Sequence, residues 1–246
     1  MKNLQVKGLS ILLVAVLLAT GCTSVNASQS STSTSAPANT APAPTATTAD
    51  NTSTAASTNT STTAGGSLTF TLTPGKSTAS YKVREQLAGL AFPSDAIGKT
   101  TAVSGSVTVK ADGSIDSSSS KFVVDMSTLV SDKSMRDNFI KRSTLQTDQF
   151  PTATFVPTQA SWLPNPMPSS WQIGFQLTGD MTIHSVTKSI TWTVTGAISG
   201  DGATGTAITS FKFEDFGLSQ PRVSVVFSVV DLITLEIDGA LQHSSN

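Results

Sequence analysis

From residue 67 onward, apolar and polar residues alternate at period two in one segment after another. Leu68, Phe70 and Leu72 alternate with Thr69, Thr71 and Thr73, and Val103, Gly105, Val107 and Val109 with Ser104, Ser106, Thr108 and Lys110. The same pattern sets Trp171, Ile173, Phe175 and Leu177 against Gln172, Gly174, Gln176 and Thr178. It returns in Ile190, Trp192 and Val194, and in Ile233, Leu235 and Ile237. A segment with one apolar and one wet face is a half-buried strand of an antiparallel sheet. Weaker patterns predict strands near 78–84, 120–126, 153–160 and 204–214, and Ala111-Asp112-Gly113-Ser114 marks a turn. One stretch breaks the rhythm. Over 133–146, Met135, Phe139 and Ile140, with Leu145 roughly completing the stripe, share a helical face, and Asp137 and Lys141 stand four apart on another. Ser134 is the candidate cap and Gln149-Phe150-Pro151 the stop.

About eight strands and one helix predict an all-β, mainly antiparallel barrel or sandwich over residues 67–246. Closed barrels of about eight strands can hold one small ligand. This half of the chain is longer than a filled barrel of that size needs, which is compatible with an enclosed cavity.

The first 66 residues follow other rules. Lys2 and Lys7 precede an apolar run from Leu9 to Ala19 that is too short for the roughly 20 residues of a spanning helix and reads as a signal peptide. Ala19-Thr20-Gly21-Cys22 follows, and small residues before a cysteine at this place resemble a bacterial lipobox. Residues 1–21 are therefore expected to be a lipoprotein signal peptide. Cys22 is the expected lipid attachment site, tethering the domain outside the cytoplasm; an outer membrane is one possible location. Residues 23–66 are mostly Ser, Thr, Ala, Pro and Asn, with Asp50 the single charge. Such a segment cannot bury enough apolar area to offset backbone ordering, so a disordered linker is expected.

Composition narrows the chemistry. Fifteen Lys and Arg stand against 16 Asp and Glu, a net charge of -1 with no basic block, which argues against a nucleic-acid surface. One cysteine excludes an intramolecular disulfide or a cysteine-based metal site. Two histidines, His184 and His243, cannot build a histidine cage. His184-Ser185 suggests a hydrolase pair, but no orienting third group and no Gly-x-Ser-x-Gly elbow accompany it. His184 is read instead as a turn residue fixing its loop by hydrogen bonds. Glu214 and Asp215 are adjacent and would face opposite sides of a strand. Arg136-Asp137 is read as a helix surface pair, with packing over a barrel end and a hold by Arg136 on a polar headgroup as the alternatives.

Several segments in order resemble the YceI-like family of bacterial secreted and periplasmic proteins. They are Gly179-Asp180-Met181-Thr182-Ile183-His184-Ser185-Val186-Thr187-Lys188, preceded by Leu177-Thr178, and Arg136-Asp137 followed by Asp148-Gln149-Phe150-Pro151-Thr152-Ala153-Thr154-Phe155. Val103-Ser104-Gly105-Ser106-Val107 and Asp215-Phe216-Gly217-Leu218 add two weaker matches. Ser185 stands where the family often has Gly. The resemblance implies a lipocalin-like antiparallel barrel that holds a polyisoprenoid chain. Phe70, Trp171, Phe175 and Trp192, the largest apolar side chains at regular strand positions, are the candidate lining residues; alternation alone leaves open whether they face a cavity or a packed core. The expected function is that of a non-enzymatic, membrane-tethered carrier of an apolar isoprenoid or quinone-like chain, with no cofactor or metal. The competing expectation is a surface interaction module with a packed barrel.

Overall fold

The computed structural model describes residues 66–245. Eleven antiparallel strands follow one another: β1 (Leu68–Leu72), β2 (Thr78–Leu87), β3 (Ser94–Thr100), β4 (Val103–Val109), β5 (Lys121–Asp125), β6 (Val130–Ser131), β7 (Thr152–Ser161), β8 (Ser170–Ile183), β9 (Val186–Ser199), β10 (Gly202–Phe211) and β11 (Val226–Ser245). Eight of them, β1-β4-β5-β7-β8-β9-β10-β11, form a ring that the pairing of β1 with β11 closes. β2, β3 and β6 heighten one side of it. β2 runs on from β1 along the same edge of β11, β3 pairs with β2, and β6 with β3. Full closure leaves the ring no unpaired edge.

Three neighbouring strand lines bend at one level, and the bends have local causes. Between β1 and β2, Thr73-Pro74-Gly75-Lys76 makes a turn in which Lys76 N–H donates to Thr73 O at 3.2 Å. Proline at its second position and Gly75 at φ +72° suit a type II turn. Ser77, 1% exposed, stitches this turn to β11, its hydroxyl accepting from Ala240 N–H at 3.2 Å. Between β3 and β4, Ala102 N–H donates to Thr100 Oγ1 at 2.9 Å. Between β5 and β6, Met126–Thr128 forms a 3-10 turn capped by Asp125, whose carboxylate accepts from Ser127 N–H at 2.9 Å. The hydroxyls of Thr100 and Thr128 meet at 2.6 Å and tie two of the bends together.

The helix expected over 133–146 spans Ser134–Thr144, as α1 (Ser134–Phe139) continued by a wider π turn (Ile140–Thr144). Two local expectations need correction. Ser134 does not cap it: the cap position is Lys133, with no side-chain bond. Nor do Arg136 and Asp137 form a surface pair. Asp137 accepts from Ser131 N–H and Oγ at 2.9 and 2.6 Å, and Arg136 turns inward. The reason is tertiary: the helix lies over one end of the barrel, and its polar residues find partners on β2 and β6.

The expected strand near 204–214 ends at Phe211, and Phe213–Phe216 is a 3-10 turn. There Asp215 accepts from Lys212 N–H at 2.8 Å and from Lys188 Nζ at 3.2 Å, bonds that hold its carboxyl below the usual range, the backbone bond first. Gly217 at φ +65° lets the chain turn so that Leu218 N–H reaches Phe213 O. Phe216 is fully buried beside Phe211, ring centroids 4.6 Å apart. Phe213 and Phe216 thus pack inward from this turn, while Glu214 and Asp215 face solvent beside Lys212 and Lys188 and form no carboxylate dyad.

Candidate ligand-binding cavity

Alternation sends one residue in two of every strand inward, and the inward set is almost wholly apolar. It does not fill the barrel. A chamber of about 590 Å³ occupies the end beneath the helix. Its walls include Val83 and Ala96 from β2 and β3, Val124 from β5, Met181 from β8 and Leu235 from β11, with Phe139 of α1 above. A second chamber of about 170 Å³ lies toward the other end, between Phe70, Val109, Phe175, Leu177 and Ile198. Phe122, Phe155, Trp192 and Ile237 belong to both walls and form a waist between them. At that waist the rings of Phe155 and Trp192 meet edge to face, centroids 6.0 Å apart.

Two glycines form part of the lower chamber's wall, where the strands approach closely. Gly196 and Gly205 face one another across β9 and β10, and a Cβ on Gly196 would lie 2.2 Å from Thr204 O. Both line that chamber. Backbones in such close approach exclude any larger residue.

Polar groups are few and gather at the helix end. Glu85, 7% exposed, points inward from β2, and its carboxylate takes Arg136 Nη2 at 2.5 Å. Arg136 also bonds Asp132 and, at 3.3 Å, Ser131 Oγ. Burial alone lowers the pKa of this guanidinium; its bonds to Asp132 and Glu85 outweigh that and leave it raised. The cation beside the chamber is thus already matched by two carboxylates. Tyr81 lies against Gly98, where a Cβ would sit 2.2 Å from the tyrosine ring. Burial pushes the Tyr81 hydroxyl up to about 12, partly opposed by Arg136 and reinforced by the nearby carboxylates.

Of the four residues singled out by sequence, the structure places Phe70 and Phe175 on the lower chamber and Trp192 at the waist. Trp171 pairs through its backbone with Ile198, and its side chain lies outside the described part of the structure. Cys22 and linker residues 23–65 also lie outside the described residues. Sequence reasoning missed the larger chamber's walls on β2, β3 and β11. The inward positions of β3 are Ala96, Gly98 and Thr100, too small to read as an apolar face because Tyr81 lies across them.

His184 and Ser185 form the two-residue turn between β8 and β9, with φ of +50° and +65°. The expectation that His184 fixes the loop by hydrogen bonds is corrected: its Nε2 is buried without a partner among the described residues, and the ring packs edge-on against Phe150 at 4.6 Å. The ring supplies apolar closure of the turn.

A family model described as the YceI-like domain matches residues 70–241. None of the curated proteins matches the chain. Among solved structures, BcnA of Burkholderia cenocepacia aligns with a TM-score of 0.51 at 19% identity, over 69% of this chain and 98% of that one. A polyisoprenoid binding domain from Saccharophagus degradans, implicated in plant cell wall breakdown, aligns with a TM-score of 0.53 at 9% identity, over 71% and 98%. At these identities the likeness to solved structures is one of fold.

Proposed function

The chain belongs to the YceI-like domain family, and on that footing we propose that its barrel carries one long, uncharged apolar chain of isoprenoid type, such as a polyprenyl lipid or an isoprenoid quinone. The observation that carries this reading is the apolar chamber of about 590 Å³, followed beyond the Phe155–Trp192 waist by a second one. A volume of this size is typical of small-molecule sites, and a hydrocarbon needs only dispersion contact and exclusion of water. Each CH₂ removed from water contributes about 0.8 kcal/mol, so binding rises with enclosed length. The engagement of Arg136 by Glu85 and Asp132 favours a neutral chain over a phosphorylated one. The polyisoprenoid named for the Saccharophagus degradans domain supports the same ligand class.

The protein works as a non-enzymatic carrier held at a membrane, facing away from the cytoplasm, through acyl chains on Cys22. The lipobox-like Ala19-Thr20-Gly21-Cys22 supports this part of the reading, and two or more acyl chains hold a protein stably where one does not. Cys22→Ser is expected to move the domain from the membrane to the soluble fraction; sedimentation of that variant with membranes would refute the anchor.

Organic extraction of the purified protein, followed by mass spectrometry, tests the ligand. A stoichiometric prenyl lipid is expected. A lipid-free extract, together with no change in Trp fluorescence on titration with prenyl alcohols of increasing length, leaves an interaction module instead.

A further inference from the structure

The large chamber opens at the helix end of the barrel, and the segments around that opening are unusual. Between Glu85 and Asp95 the chain carries no charge, and between Asp215 and Asp231 it carries one, Arg222. These two segments are joined by Ala88 N–H donating to Val225 O at 2.9 Å, beside the pairing of Leu87 with Val226. They turn large apolar side chains outward: Phe92 is 80% exposed and Phe227 73%, with Leu90 and Val225 about half exposed. Met135, at the start of the helix, adds a third side to the rim at 79%. Phe227 sits at a break in the β2–β11 register, so the irregular strand presents it outward.

Scattered apolar residues on a surface need no explanation, but several gathered around one opening do. Leu87, Ala88, Met135 and Val225 line the chamber as well as its mouth, so the apolar surface runs unbroken from the interior to the outside. We propose that this rim docks on a lipid bilayer, with Phe92 and Phe227 seated at the interface, so that a chain passes between membrane and chamber without crossing water. Two features select a bilayer over other occupants. A second copy or a protein partner seated here would cover the mouth, whereas a bilayer is where an apolar chain resides. Beside these segments lie the cations Arg222 and Lys133, with Asp132 shared between Arg136 and, at 4.0 Å, Lys133, a balance that suits a surface that includes anionic headgroups. The proposal rests on the reading of the cavity as a chain-binding site.

The test uses the full chain carrying Cys22→Ser, which removes both the acyl anchor and the single native thiol. Phe92→Cys, Phe227→Cys and, at the opposite end, Trp162→Cys are each labelled with an environment-sensitive fluorophore. Vesicles of phosphatidylcholine and phosphatidylglycerol are then added. Emission at positions 92 and 227 is expected to shift to the blue and to be quenched by doxyl-labelled lipid, with no change at 162. Aqueous emission at 92 and 227 at every lipid concentration overturns the proposal. So does a blue shift without vesicles that grows with protein concentration, since a second copy then covers the rim. In parallel, Phe92→Ser/Phe227→Ser is expected to slow transfer of a fluorescent prenyl alcohol from vesicles by on the order of tenfold or more. Its affinity for the same alcohol without membranes should be unchanged. Transfer at the parent rate overturns the proposal, whereas a parent protein that binds no prenyl alcohol in solution overturns the cavity reading and leaves the labelling result standing on its own.

Discussion

At the scale of single residues, two aromatic side chains carry separable signals. Trp192, 4% exposed, belongs to both chamber walls and meets Phe155 edge to face, so its removal joins the chambers and leaves a void. Trp192→Ala is expected to lower the unfolding free energy by about 3–5 kcal/mol in denaturant titration, as for other buried aromatics; a loss under 1 kcal/mol would mean that the waist is not a packed layer. Tyr81 is the chain's single tyrosine, so its ionisation can be followed alone by ultraviolet absorbance. It should titrate near 12 in the folded protein and near 10.0 in denaturant. Below pH 10 both states keep the proton and its contribution to stability is intact. Above pH 10 the unfolded chain ionises while the folded one does not, so stability falls as the pH climbs toward 12, by about 2–3 kcal/mol. Tyr81→Phe should remove that part of the alkaline loss, and a parent and variant with superimposable profiles would show that the hydroxyl is not buried as described.

At the scale of elements, the β8–β9 turn and the β1–β2 bend lend themselves to opposite predictions. Ser185 holds a left-handed conformation that costs a non-glycine residue about 1–2 kcal/mol, while glycine costs about 0.4–1 kcal/mol in unfolded-state entropy. The first effect outweighs the second, so Ser185→Gly should stabilise by about 0.5–1 kcal/mol, read from the thermal midpoint. Ser77→Ala should do the reverse. It leaves the Ala240 N–H without its acceptor at a position 1% exposed, at a cost of about 1–3 kcal/mol. Hydrogen exchange localises the effect: the Ala240 amide should exchange faster in the variant, and unchanged protection there would show that Ser77 does not hold the bend. The helix illustrates how far local pattern reaches. Its existence and extent are legible from Met135, Phe139 and Ile140, but Arg136 finds Glu85 across 51 positions of sequence, which no local pattern can report.

At the scale of the whole molecule, closure of the ring through β1 and β11 makes the barrel self-sufficient. We expect a chain beginning at Gly66 to unfold at the same denaturant midpoint as one beginning at Thr23; a clear loss would show that residues 23–65 pack on the barrel. What the sequence alone determined was the character of the strands that alternate clearly: which face is wet, that Asp112-Gly113 must turn, and that one helix interrupts the alternation; β3, with Ala96, Gly98 and Thr100 inward, stayed hidden. Those properties follow from local backbone preference and period. It also carried the family motifs, several of which serve packing and turns, as Phe216, Gly217 and Ser185 show. Only the tertiary structure decided that the interior is hollow. Alternation reports that a face is buried and is silent on how far away the opposite wall stands. That distance is set by strand number, by bends shared between three neighbouring strands, and by a helix laid over the end of the barrel, all of which join residues far apart in the chain.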